Sequence, residues 1–142
     1  VCFSVAGSVG HRVVLLFVRR RLQSCIRDRY NPGFCALLRE RYPQAKVVQG
    51  DAYRLRDTLW DVMKSPASAV VSGLPLVTKP MLTRLKLIRD AFLALAPGAP
   101  FVQFTYSVAP PIPKSLPGVS TEASERIGMN LPPARVWVYR KG

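Results

Sequence analysis

The sequence is short of acidic residues and of histidine, and both shortages limit the chemistry that it can support. Eight Asp and Glu stand against 21 Lys and Arg, which gives a formal net charge of +13. A field of this sign attracts polyanions such as nucleic acid or anionic lipid, and a solvated basic surface without a dedicated ligand is the alternative. His11 is the one histidine and lies beside a glycine in an irregular stretch. A Ser/His/Asp or Cys/His catalytic set is therefore not favoured.

Cysteines and long apolar runs are scarce as well. Cys2, Cys25 and Cys35 show no CxxC or Cys/His spacing, so we predict reduced thiols, no disulfide framework and no metal site. No run reaches the roughly 18 to 20 apolar residues that span a bilayer. Residues 13–18 are apolar but are followed by arginines, which is the wrong side for a secretory signal. We expect a cytoplasmic protein, with peripheral contact at the inner membrane left open.

From Asn31 onward, short apolar runs alternate with amphipathic stretches, in a chain of 142 residues that is 49% hydrophobic. Turn and capping residues delimit these segments. The pattern predicts helices over residues 31–42, 55–63 and 80–96, and strands over residues 46–49, 68–72 and 101–106. Such alternation is typical of a doubly wound, Rossmann-like α/β sheet that is mostly parallel. We expect a single domain over residues 1–142.

The last of these helices is the most regular. Leu82, Leu85, Ile88, Phe92 and Leu95 recur at steps of three and four residues and are predicted to form its buried face. After the strand that follows, a proline-rich loop leads to residues 124–129 and 135–139. These two segments are predicted to form a C-terminal antiparallel hairpin.

Four short segments lie where a predicted strand ends or a helix begins. They are residues 30–34 (YNPGF), 48–52 (VQGDA), 71–75 (VSGLP) and 101–106 (FVQFTY). Ligands of open α/β sheets bind outside the carboxyl ends of the strands. We therefore expect the four segments to converge on one crevice.

The order of these segments, the proline-rich loop at residues 110–117 and the ending PPARVWVYR at residues 132–140 resemble bacterial phosphatidylethanolamine N-methyltransferases. That family belongs to the class I S-adenosylmethionine-dependent methyltransferases and is related to the adenine dimethyltransferases of ribosomal RNA. The resemblance covers a family-like core at residues 30–142 and leaves residues 1–29 atypical. It implies S-adenosylmethionine as cofactor and transfer of methyl groups to phosphatidylethanolamine, giving methylated derivatives and phosphatidylcholine.

The resemblance assigns the adenine site to residues that follow the strand at 46–49. Asp51 would accept a hydrogen bond from the adenine amino group, and Gly50 and the backbone of Ala52 would complete the contact. A carboxylate is a suitable acceptor for an exocyclic amine. The residues alone equally allow a turn-forming Asp51 that caps the next helix.

A second group of residues resembles the segment beside the reactive methyl group. It consists of Ser72, Gly73, Leu74 and Pro75. Ser72, which is also predicted to contact the cofactor, and the backbone carbonyls would orient the amine lone pair, which is catalysis by positioning. A strand ending in a plain Gly-Leu-Pro turn is the alternative. Tyr106 would line the substrate pocket, with burial in the core as its alternative.

Residues 1–29 depart from the family pattern. Members carry the sequence E-x-G-x-G-x-G after their first strand, where this chain offers only Gly7 and Gly10. The acid expected to bind the ribose would stand two residues before Asn31, but that residue is Arg29, and Asp28 is one place too early. Gly7, Gly10, Asp28 and Asn31 are the candidate cofactor contacts here. A frame error in the coding sequence and genuine divergence each explain the change.

Three functions fit these features: a phospholipid N-methyltransferase, an adenine N-methyltransferase of rRNA or other nucleic acid, and a non-catalytic basic binding module. Base methylation usually needs an aromatic residue beside the acceptor segment, and Leu74, Pro75 and Leu76 offer none. A lipid substrate lies at an anionic membrane surface, where each basic residue contributes about 1 kcal/mol. The candidate basic contacts are Arg39, Arg41, Arg54, Arg56, Lys79, Arg84 and Lys86.

Overall fold

The computed structural model describes residues 2–6, 13–17, 32–59, 63, 65–125 and 133–142, the first two ranges as backbone only. The elements are β1 (Cys2–Ala6), β2 (Val13–Phe17), α1 (Pro32–Arg41), β3 (Lys46–Gln49), α2 (Leu55–Leu59), β4 (Ala69–Ser72), α3 (Met81–Ala94), β5 (Pro100–Thr105), β6 (Val119–Ala123) and β7 (Arg135–Lys141). Short 3₁₀ turns at Ala52–Arg54 and Leu76–Thr78 precede α2 and α3.

The described strands form one sheet in the order β3-β1-β2-β4-β5-β7-β6. β2, β4 and β5 are parallel neighbours, whereas β1 is antiparallel to β2 and β3, and β7 is antiparallel to β5 and β6. Most strands therefore run in one direction, with β1 and β7 against them. α3 supplies the crossover that connects the parallel strands β4 and β5. The predicted α/β sheet with a C-terminal antiparallel hairpin is confirmed.

The two N-terminal strands lie inside the sheet, which the sequence did not predict. β2 is next to β4, and β1 lies between β2 and β3. The continuous apolar sequence VVLLF of β2 suits a strand buried in the middle of a sheet. Ala6 pairs with Val13, which in turn pairs with Ala69. The chain therefore leaves β1 at the edge of the sheet where β4 begins.

Two elements differ in extent from their predictions. Met63, the predicted last residue of α2, is not helical, and residues 60–62 lie outside the described ranges. The first strand of the hairpin is Val119–Ala123, whereas the sequence predicted a strand over residues 124–129. The prediction is wrong for Ser124 and Glu125, which are not in a strand, and residues 126–129 lie outside the described ranges. β6 is an edge strand with a polar sequence, and it therefore lacks the apolar alternation by which strands are recognised.

The buried face of α3 also differs from the prediction. Leu87, Ile88 and Ala91 are buried in the main core together with Leu95, whereas Leu82 is 81% exposed, so its predicted burial is wrong. Periodicity identifies a helix face but not how far along the helix the sheet extends. Leu82 lies in the first turn, ahead of the residues that pack.

Two long side chains fix the proline-rich loop that follows β5. The hydroxyl of Tyr139 on β7 accepts a hydrogen bond from the Ile112 amide at 3.3 Å and donates to the Ile112 carbonyl at 3.4 Å. Arg84 on α3 donates to the carbonyl of Pro111 at 3.0 Å. Tyr139 and Ile112 are fully buried, so this part of the loop is a component of the core.

Alkaline pH is expected to destabilise the domain through Tyr139. Burial raises the pKa of this phenol to about 12, and the hydrogen bond to Ile112 opposes that rise. Because the folded-state pKa lies above the unfolded value, the stabilisation is complete below pH 10 and is lost as pH rises towards 12. The loss is about 2 to 3 kcal/mol in the free energy of unfolding. Urea unfolding across this range measures it.

Tyr139→Phe is the control for this pH dependence. The variant is less stable near neutral pH by about 1 to 3 kcal/mol, because the buried amide and carbonyl of Ile112 lose their partner. Its stability falls less between pH 10 and 12 than that of the natural protein. Equal alkaline losses in the two proteins would show that another group is responsible.

Cys35 on α1 corrects one expectation about the thiols. It is fully buried in a small cluster with Val47 and Leu38, and it takes part in a disulfide bond. The prediction of a reduced thiol is therefore wrong for Cys35. Within the described ranges, no helix combines the length and apolar character needed to cross a bilayer.

Candidate active site

Three of the four predicted segments leave the sheet at the same edge. Ser72 pairs with Gln103 on one side and Leu16 on the other, and the neighbouring row joins Phe17 through Cys2 to Gln49. β3, β4 and β5 run in the same direction, so the residues that follow them lie along one rim of the sheet. Strands are about 4.8 Å apart, which separates β3 from β4 by about 14 Å across β1 and β2. The described segments thus share one rim of the sheet, and their convergence on a single crevice stays a prediction.

Asp51 follows β3 and caps the 3₁₀ turn at Ala52–Arg54. Its Oδ1 accepts a hydrogen bond from the Tyr53 amide at 3.0 Å, which is the capping role that the sequence allowed. Oδ2 makes no hydrogen bond to a described residue, and the side chain is half-buried. Capping therefore leaves one carboxylate oxygen for a ligand.

Ala52 presents an unusual backbone donor. The residue is fully buried, yet its amide donates to no described residue. Unpaired amides are rare in protein interiors, so this amide lies where an acceptor is expected. The adjacent carboxylate of Asp51 and amide of Ala52 together offer one acceptor and one donor. Gly50, the third predicted contact, is half-buried beside them.

Residues 72–75 form a tightly bonded loop after β4. The hydroxyl of Ser72, which is fully buried, accepts a hydrogen bond from the Leu74 amide at 3.3 Å. The Leu74 carbonyl accepts from Leu76, and the Pro75 carbonyl accepts from the amide and hydroxyl of Thr78. Gly73 is exposed, and its carbonyl accepts no hydrogen bond from a described residue. Among the carbonyls of residues 73–75, that of Gly73 is therefore the one without a partner among the described residues.

Gln103 holds the 72–75 loop in place, and the sequence argument assigned it no role. Its Nε2 donates to the Leu74 carbonyl at 2.9 Å and to the Phe104 carbonyl at 2.7 Å, and the side chain is fully buried. The signal was available, because an amide in the middle of an apolar central strand is a polar residue at a core position. Gln103 positions the loop from beneath.

A polar row continues from Gln103 across the sheet. Its cross-strand partner on β7 is Trp137, which is fully buried. Lys114 Nζ and Arg135 Cζ lie 5.2 and 5.3 Å from the centre of its ring. Oε1 of Gln103 and Nε1 of Trp137 are both buried without a partner among the described residues. Burying a polar group without a hydrogen-bond partner costs free energy. The row Ser72–Gln103–Trp137 is a polar element within an apolar core.

Replacing Gln103 is expected to destabilise the domain. Gln103→Leu keeps the bulk but removes both donated hydrogen bonds, which lowers the free energy of unfolding by about 1 to 3 kcal/mol. Gln103→Glu places a carboxylate against two carbonyl oxygens, so the loss is larger near neutral pH. Protonation restores a donor, and the loss therefore shrinks in mildly acidic buffer. Urea unfolding of both variants tests this, and a pH-independent loss for Gln103→Glu would contradict it.

A cation and an aromatic ring connect the Asp51 turn with the segment that follows the 72–75 loop. Nζ of Lys79 lies 5.1 Å from the ring centre of Tyr53. Tyr53 is two residues after Asp51, and Lys79 is four residues after Pro75. The contact links the turn after β3 with the segment that follows the 72–75 loop and places a positive charge over the Tyr53 ring.

Tyr106, the predicted substrate contact, follows β5 at the same rim. Its side chain is 40% exposed and its ring meets that of Phe104 edge-on, with ring centres 5.0 Å apart. The alternative of burial in the core is therefore wrong, and the ring remains accessible to a ligand.

The cofactor contacts expected at the N-terminus are not placed by the structure. Gly7, Gly10, Asp28 and Asn31 lie outside the described residues, and their roles stay predictions. In the part of the chain that is described, no group of three or more His, Cys, Asp or Glu side chains could hold a metal ion.

Comparisons with known proteins give distant structural likenesses. No family model and no curated protein matches the sequence. One solved structure that matches is TrmN from Thermus thermophilus, with 22% identity and a TM-score of 0.43; the match covers 66% of this chain and 27% of that chain. Another is an rRNA methylase from Streptococcus thermophilus, with 12% identity and a TM-score of 0.44; the match covers 65% of this chain and 54% of that chain. This chain thus spans about a quarter and about half of their lengths, and likenesses so distant do not carry over a function.

Proposed function

We propose that the chain is an S-adenosylmethionine-dependent N-methyltransferase domain. The observation that carries the proposal is the presence, at one rim of the sheet, of a turn whose second carboxylate oxygen has no described partner and of a loop whose Gly73 carbonyl has none either. The first is the turn at residues 50–52, and the second is the 72–75 loop. Both belong to the four segments whose order, together with the proline-rich loop and the C-terminal ending, resembles phosphatidylethanolamine N-methyltransferases.

The turn at residues 50–52 fits the edge of an adenine ring. Oδ2 of Asp51 accepts from the exocyclic amine, while Oδ1 continues to cap the turn through Tyr53. The amide of Ala52, which has no partner among the described residues, donates to an adjacent ring nitrogen, and this bond removes the cost of about 1 to 3 kcal/mol for an unsatisfied buried donor. This donor and acceptor pair matches the alternation of polar atoms on the ring.

The 72–75 loop orients the acceptor amine. When bound, the cofactor supplies a methyl group on a positively charged sulfur, which is already activated for transfer. The carbonyl of Gly73 accepts a hydrogen bond from the amine and directs its lone pair toward that methyl group, which is catalysis by positioning. Ser72 acts through the shape of the loop, because its hydroxyl is buried and bonded to Leu74. The proton that the nitrogen loses passes to water.

The primary amine of phosphatidylethanolamine is our first candidate acceptor. It is small and flexible and needs no stacking platform, which agrees with the aliphatic sequence Leu74-Pro75-Leu76. An adenine of RNA is the second candidate. The net charge of +13 and the exposed ring of Tyr106 favour it.

Calorimetric titration with S-adenosylmethionine tests the cofactor, and transfer of a labelled methyl group tests the acceptor. Binding followed by label in phosphatidylethanolamine vesicles supports the first candidate, and label in an rRNA fragment supports the second. If the protein shows neither heat nor a thermal shift with the cofactor, it is a non-catalytic basic module and the proposal fails.

A further inference from the structure

A cavity of about 640 Å³ lies between α2 and α3, a size typical of sites for small molecules. Leu55, Leu59 and Met63 line it on one side, and Leu93 and Ala94 line it on the side of α3. The Met63 amide donates to the Leu59 carbonyl at 2.9 Å, so this wall continues beyond the last residue of α2. The walls of the cavity are therefore largely apolar.

The position of the cavity separates it from the candidate active site. The Ala67 amide donates to the Ala94 carbonyl at 2.8 Å, and the Ala96 amide donates to the Ala67 carbonyl at 2.9 Å. These bonds fix the end of α3 beside the segment that enters β4. The 72–75 loop follows the other end of β4. The cavity is therefore near the rim of the sheet opposite that loop.

Asp90 brings a buried charge to this cavity. It precedes Leu93 and Ala94 by three and four residues, so the three side chains share one face of α3. The Asp90 side chain is only 2% exposed. Its Oδ1 accepts from Nε and Nη2 of Arg89 at 3.3 and 3.2 Å, whereas Oδ2 accepts no hydrogen bond from a described residue. A buried carboxylate is favourable only when its remaining lone pairs find donors, so Oδ2 is an acceptor that a ligand can complete.

The buried carboxylate decides the sign of the ligand. Arg56 also lines the cavity, but this residue is exposed, so water and salt screen its charge more than that of Asp90. Asp90 is the one acidic residue between positions 62 and 121. One carboxylate is too few for a metal ion, but it is sufficient for an ammonium group.

We propose that this cavity is a second binding site, which takes a small molecule that carries a protonated amine on an apolar body. The ammonium group donates to Oδ2 of Asp90, and the hydrocarbon packs against the leucines of α2 and α3. Such a charge-assisted hydrogen bond is strong where little water reaches it. The site is independent of the proposed methyltransferase function, because it uses none of the residues assigned to the cofactor or the acceptor.

Titration of the full chain with hexylamine, 1-hexanol and hexanoate tests the ligand class. The three probes share an alkyl chain and differ in the charge at its end. We expect hexylamine to bind about tenfold more tightly than 1-hexanol, and hexanoate to bind more weakly than either. The net charge of +13 attracts hexanoate, so a preference for the amine cannot come from the overall charge. NMR spectra of isotope-labelled protein should change most at the residues that line the cavity.

Two substitutions test the site by charge and by space. Asp90→Asn keeps the shape of the side chain but removes its charge, and we expect it to weaken hexylamine binding about 10- to 100-fold and to leave 1-hexanol unaffected. The control is Asp57→Asn, because Asp57 is exposed and does not line the cavity. Ala94→Phe fills part of the cavity and should weaken the binding of both probes about tenfold. Its control is Ala36→Phe at an exposed position of α1.

Thermal unfolding shows whether each variant is folded, and the Ala94→Phe pair decides the matter if Asp90→Asn does not fold. Equal affinities for hexylamine and hexanoate overturn the amine site. Equal hexylamine binding by Asp90→Asn and Asp57→Asn, or by Ala94→Phe and Ala36→Phe, also overturns it. Spectral changes confined to residues 50–52 and 72–75 would place the amine at the candidate active site instead.

Discussion

Asp51→Asn is expected to weaken the binding of S-adenosylmethionine about 10- to 100-fold while leaving the fold intact. Asn retains an oxygen that caps the turn by accepting from the Tyr53 amide. It places an amide nitrogen where Oδ2 stood, and that donor faces the adenine amine. A hydrogen bond to a charged group contributes about 1.5 to 3 kcal/mol, and each 1.4 kcal/mol corresponds to about a factor of ten. Titration calorimetry measures the loss, and thermal unfolding confirms the fold.

Asp57→Asn is the matched control for this substitution. Asp57 lies six residues later, its side chain is 61% exposed, and it pairs with Arg54 at 3.0 Å. Removing an exposed ion pair changes the stability of the fold little. Asp57 is not one of the proposed cofactor contacts, so the affinity for the cofactor should not change either. If Asp51→Asn binds the cofactor as tightly as Asp57→Asn, Asp51 is a capping residue only.

Leu87→Ala is expected to lower the free energy of unfolding by about 2 to 5 kcal/mol, whereas Leu82→Ala changes it by less than about 0.5 kcal/mol. Leu87 is fully buried in the core and Leu82 is 81% exposed, and both lie in α3. The two substitutions remove the same atoms from the same helix. Helix propensity is therefore matched, and the difference reports burial alone.

Urea unfolding of the two variants measures this difference. A domain of this size is typically stable by about 5 to 15 kcal/mol, so Leu87→Ala would remove a large part of the total. Comparable losses for Leu82→Ala and Leu87→Ala would mean that α3 packs with the face predicted from its periodicity.

Local sequence signals were sufficient for the regular core of the fold. Pro32 and Pro43 bracket α1, and the strand at residues 46–49 was predicted with its observed bounds. Apolar runs bounded by turn residues identified β4 and β5 to within one residue at either end. Because parallel strands end at one edge, these elements also predicted which segments share a rim of the sheet.

Other features depend on contacts that a linear pattern does not record. The place of β1 and β2 within the sheet depends on strand pairing between distant segments. The exposure of Leu82 depends on where α3 meets the sheet, and the role of Gln103 depends on the Leu74 carbonyl, 29 residues earlier. Gly73 became the preferred acceptor only when the partners of the neighbouring carbonyls were known.

The position of β1 and β2 has a consequence for how the site is assembled. Within the sheet, β1 and β2 lie between β3 and β4 and thus form a spacer. The turn at residues 50–52, which would hold the nucleoside, follows the strand on one side of this spacer. The 72–75 loop, which would hold the amine, follows the strand on the other side. The width of that spacer sets the reach required of a ligand that contacts both. Changes within β1 or β2 would thus alter the spacing between the turn at residues 50–52 and the 72–75 loop without touching either of them.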